Sequence, residues 1–157
     1  MTNNQSQPGF LQSLKILFFG LLVGQIAIFV ILWFLVPPNG RPGIYQEPFD
    51  MALVVAWLAL QASAYFLIPK RVEAARSLTV FSEKISAYRA AQVARFALME
   101  SAVLICLVGY FFVSANYVLL ALAAAGIGLF ITQLPTREKI IHELDLPPHE
   151  ERKLDEA

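Results

Sequence analysis

Residues 16–36 read ILFFGLLVGQIAIFVILWFLV, a stretch without one charged side chain. A helix rises 1.5 Å per residue, so about 20 such residues cross the roughly 30 Å hydrocarbon core of a bilayer. Three further runs follow at Met51–Ile68, Phe96–Val113 and Tyr117–Leu134, and Glu100 is the sole acidic or basic residue within any of them. Together the four runs hold nearly half of the 157 residues. Charged residues make up 15% of the chain, against about 25% in soluble domains. This composition excludes a soluble globular domain, a disordered chain and a secreted disulfide scaffold.

The ends of the runs carry residues that stop helices. Pro37-Pro38 closes the first, Pro69 follows the second and Pro135 follows the fourth. The expected fold class is all-α: a four-helix transmembrane bundle of two antiparallel hairpins, with a long amphipathic cytoplasmic extension of the third helix. Residues 1–15 form an N-terminal segment and 16–134 the membrane domain, with spans 16–36, 51–68, 96–113 and 117–134. Residues 135–157 form a tail. The first run exceeds a signal-peptide core in length, so a retained anchor is expected.

Orientation follows from Lys and Arg. Eleven of the twelve lie before span 1, between spans 2 and 3, or after span 4, and Arg41 alone lies in the other connections. The positive-inside rule then places both termini and residues 70–95 in the cytoplasm, as expected for a multi-pass protein of the bacterial inner membrane.

Residues 37–48 hold four prolines and two glycines, which predicts an irregular loop. No Gly or Pro occurs anywhere from Lys70 to Val108. Within that stretch Leu78, Phe81, Ile85 and Tyr88 form one stripe of an amphipathic helix that continues into span 3. The stripe needs a cover: the tail (where Ile140, Ile141 and Leu144 share a face), a neighbouring subunit or lipid headgroups.

The inventory for chemistry is thin. No glycine-rich nucleotide loop and no nucleophile–histidine set occurs, and net charge is zero, so neither an enzyme nor nucleic-acid binding is expected. No cofactor, metal or small-molecule substrate is identifiable; His142 lacks a second His four positions on, and the sequence beyond it reads as a solvated acidic tail. Cys106 has no partner and reads as a small hydrophobe. Small residues at four-residue spacing, Gly20 and Gly24 in span 1 and Ala124 and Gly128 in span 4, are expected to let helices pack closely. Glu100 lies about 6 Å into the hydrocarbon. It requires a partner, with Gln25, Lys15 and Arg95 the first candidates, or else it binds an ion or proton.

The stretch Glu83-Lys84 … Tyr88-Arg89-Ala90-Ala91 … Arg95-Phe96-Ala97-Leu98-Met99-Glu100, with Pro135-Thr136-Arg137-Glu138-Lys139-Ile140, resembles a group of small uncharacterised four-span bacterial membrane proteins. That resemblance implies no activity. Span 3 alone is similar to the carboxylate-bearing helix of rotary ATPase ring subunits of the c or K type, which implies ion binding at Glu100. Ring subunits have glycine-dense first helices and a mid-membrane carboxylate; here spans 1 and 2 hold two glycines and Glu100 is off centre. The expected function is a non-enzymatic structural or interaction subunit embedded in the lipid bilayer, as a homo-oligomer or within a membrane complex. The alternative is an ion- or proton-conducting subunit built on Glu100.

Overall fold

The computed structural model describes residues 9–36, 48–114, 116–148 and 150–151, and every regular element among them is helical. The order is α1 (Phe10–Leu35), α2 (Pro48–Arg76), α3 (Phe81–Gly109), a π-helical turn (Tyr110–Ser114), α4 (Tyr117–Ile131) and α5 (Arg137–Leu144). Apart from Pro48, the irregular loop expected at 37–48 lies outside the described residues, as do Arg41 and His149. Pro48 itself opens α2, a position where its missing N–H costs nothing.

Helices α1, α2 and α3 are long and apolar enough to cross a membrane. The fourth run is shorter than its apolar length predicts. Helix α4 has 15 residues and spans about 22 Å. Its end is set locally: Gln133 and Leu134 donate to carbonyls three residues back, and the Thr132 hydroxyl donates to the Leu129 carbonyl. The opposite correction applies to α2. Pro69 lies inside it, and the helix continues to Arg76. The ring removes one helical hydrogen bond, but Ile68, Val72 and Ala75 on the far side and flank of the proline are buried in the core and hold the turn in place.

The packing departs from two simple hairpins. Helix α2 pairs with α3, α4 packs on α3, and α1 lies on α3 and α4 rather than along α2. Helix α3 is therefore the hub. Three rings pin this arrangement: Phe18 of α1 stacks on Phe130 of α4 with centroids 4.9 Å apart, and Phe96 of α3 meets each of them at 5.6 Å. Two glycines permit the closest approaches. A Cβ on Gly109 would stand 2.2 Å from Leu53 Cδ1, and one on Gly126 would stand 2.7 Å from Val103 Cγ2.

The buried residues form two clusters. One surrounds Leu53, Trp57, Val103, Cys106 and Leu119, near the end where Asn116 donates to Asp50 and the Tyr110 hydroxyl donates to the Val36 carbonyl. The other lies at the polar end. There Ile85 and Tyr88 of the amphipathic stripe are buried with Phe10, Val72, Ala75, Ile140, Leu144 and Leu146. The cover of the stripe is thus the chain itself, chiefly α2 and α5. Leu78 belongs to the turn that precedes α3 and is not on that helix. Helix α5 closes with Asp145 in the left-handed region at φ 51°, which turns Leu146 back into the core.

Candidate functional site: a carboxylate hub at the polar end

Tyr88, Gln92 and Arg95 follow one another along one face of α3, at helical spacings of four and three. All three are buried, and all three reach the same side chain on α5. The Tyr88 hydroxyl donates to Glu143 Oε2 at 2.7 Å and the Gln92 amide to the same oxygen at 2.8 Å. Arg95 Nη1 donates to Glu143 Oε1 at 3.3 Å. Glu143 occupies the inward face of α5 between Ile140 and Leu144, because residues three and four apart share a helical face. A carboxylate there is tolerable because both oxygens are satisfied.

A second convergence adjoins the first. Gln133 Oε1 accepts from Arg95 Nη1 at 3.4 Å and from Lys139 Nζ at 2.9 Å. Two cations therefore share one neutral oxygen. These groups line a cleft of about 220 Å³, completed by Ala64, Tyr65, Pro69 and Met99. Pro69 has no N–H, so the Tyr65 carbonyl lacks its usual helical donor.

The electrostatics follow from burial. Tyr88 is pushed far above the ordinary phenol value by burial first, then by the charge of Glu143 and the hydrogen bond to it. It stays protonated and acts as a donor. Burial lowers Lys139 from the ordinary lysine value; the Glu143 carboxylate opposes this and the Arg95 charge adds to it. A further buried pair ties down the segment after α5: Lys84 Nζ lies 3.2 Å from Glu150 Oε2. The chain after His142 is therefore not simply a solvated acidic tail, since Glu143 and Glu150 are both engaged. Arg76 and Asp145 form an exposed ion pair beside them.

The residues singled out from sequence lie elsewhere. Glu100 is half-buried on α3 and makes no hydrogen bond or ion pair among the described residues. Of its expected partners, Arg95 is engaged by Glu143 instead and Lys15 is exposed. Gln25 is buried on α1, with both amide atoms lacking a hydrogen-bond partner among the described residues; the same holds for Gln61, and for Trp57 Nε1. Gly20, Gly24, Ala124 and Gly128 are exposed on the outside of the chain, and a Cβ at any of the three glycines would meet nothing within 4 Å. Within the chain the close contacts fall at Gly109 and Gly126 instead. The hub itself left a signal in the sequence, namely polar residues at 88, 92 and 95 on the face that carries Ile85 and Met99. Among the described residues no group of three or more His, Cys, Asp or Glu side chains is placed to hold a metal.

Compared with known proteins, the chain matches no family model, no curated protein and no solved structure.

Proposed function

We propose that this chain is a four-span protein of the bacterial inner membrane, with both termini cytoplasmic, that serves as a non-enzymatic structural or interaction subunit of an oligomer. Residues 132–134 carry the fourth run on from α4 to the interface. The observation that carries the reading is Glu100: a carboxylate within an apolar span, partly exposed, without a partner among the described residues of its own chain. Acidic groups inside membranes pair with other groups or face water. In this reading the partner comes from a second copy or from another membrane subunit. The outward-facing Gly20, Gly24, Ala124 and Gly128 support it, because small residues let helices of separate subunits approach.

Native mass spectrometry from lipid nanodiscs, with co-purified proteins identified, tests this directly. The wild type is expected as two or more copies or as a defined complex, and Glu100→Ala as smaller species. A wild-type monomer without partners overturns the proposal. A second reading, ion or proton conduction through Glu100, is favoured by the unpartnered polar atoms of Gln25, Gln61 and Trp57, which call for water inside the bundle. It requires proton or cation flux in liposomes that Glu100→Gln abolishes while assembly persists.

A further inference from the structure

We infer that the cleft between α2, α3 and α5 binds a phosphoryl oxyanion, held by Arg95 and Lys139. Three features of the cleft lead there. Arg95 is buried, with a side-chain exposure of 8%, yet all of its hydrogen bonds leave from Nη1, at 3.3 to 3.4 Å. Its Nη2 and Nε make none among the described residues, so a planar fork of donors is left over for a ligand with several oxygens. Lys139 Nζ spends one donor on Gln133 and has two more. Both cations lean on one neutral oxygen, and Glu143 offsets only one of them, so one positive charge is left for a ligand.

The carboxylate in the wall is already committed to its own donors. Glu143 Oε2 is taken by Tyr88 and Gln92 and Oε1 by Arg95, so its charge is spread over three donors. Glu143 fixes the orientation of Arg95 and leaves the outer edge of the guanidinium for the ligand. The cleft has an apolar wall of Ala64, Pro69 and Met99 facing the polar one, and about 220 Å³ accommodates a phosphate with a short ester substituent. Because the cleft lies where α3 leaves its apolar run, the phosphoryl group can come from a lipid headgroup or from a soluble phosphate. The chemistry is the same.

The test uses the full chain in phosphatidylcholine nanodiscs. One arm titrates inorganic phosphate against chloride at matched ionic strength; the other replaces part of the lipid with phosphatidylglycerol. The readout is the thermal unfolding midpoint, followed by tryptophan fluorescence. Phosphate, phosphatidylglycerol or both should raise the midpoint where chloride does not, and the arm that responds identifies the source. Lys139→Gln keeps the contact with Gln133 and removes the charge, so apparent affinity should fall about tenfold or more, while Lys139→Arg retains it. No response in either arm, or an undiminished response in Lys139→Gln, overturns the assignment. Should Lys139→Gln fail to fold, reductive methylation of Lys139 in the wild type reads the same contact. Protection by the responding ligand is expected, and unchanged labelling overturns it.

Discussion

Glu143 and Asp145 stand two positions apart on the same short segment, yet their substitutions should differ sharply. Glu143→Gln leaves Arg95 buried without its counter-charge, at a cost of about 3 kcal/mol. Amide exchange across Ile140–Leu144 should speed up about a hundredfold if that helix opens locally. Asp145→Asn breaks an ion pair whose partners are both more than half exposed, so exchange should change by less than a factor of about five. Lys139 adds a pH dependence with a definite sign. Its folded value is depressed, so the penalty for its charged form is fully present below that value and lifts as pH rises toward the ordinary 10.5. The ammonium that holds an oxyanion is lost over the same rise. In the alkaline range, phosphoryl binding should therefore weaken as pH rises toward 10.5 in the wild type and stay flat over the same range in Lys139→Gln, as read from midpoint shifts at a series of pH values. None of this was evident at Glu143 in the sequence, because its three donors lie 48 to 55 positions away. In a tail rich in acids, one carboxylate on the buried face resembles its solvated neighbours.

The glycines separate two kinds of helix contact. Gly126→Ala places a methyl group 2.7 Å from Val103 Cγ2 and should destabilise the chain by about 1–3 kcal/mol. Gly20→Ala and Gly24→Ala meet open space within the chain, so they should leave its thermal midpoint unchanged or slightly raised and lower only the oligomer fraction. Thermal melts and native mass spectrometry on the same samples distinguish these outcomes. Four-residue spacing reveals a ridge of small side chains but not which way it faces. The facing depends on neighbours, and the residues that α1 buries are Phe10, Leu14, Phe18 and Gln25. The same reasoning explains Pro69. Proline read as a stop for the second span, but packing of Val72 and Ala75 against α3 and α5 outweighs one lost hydrogen bond. Where a helix has strong lateral contacts, local punctuation yields to them.

Hydropathy alone locates the three long helices, since an apolar stretch of that length has few other solutions in water or lipid. It gives the shape of the polar end less well, because that end is built from contacts between α1, α2, α3 and α5 that are distant in sequence. The proposed orientation, with the polar end in the cytoplasm, rests on one asymmetry, the eleven-to-one division of Lys and Arg. On it depend the side on which the Arg95–Lys139 cleft opens and the compartment of any partner. Single cysteines at Asn39 and Ser77, labelled in intact cells with a membrane-impermeant maleimide, test it most directly; native Cys106 is fully buried and gives no background. The expected result is labelling at position 39 from outside and labelling at position 77 only after the cells are opened. Labelling of 77 and not 39 in intact cells would contradict the orientation, and labelling of both would contradict the spans themselves.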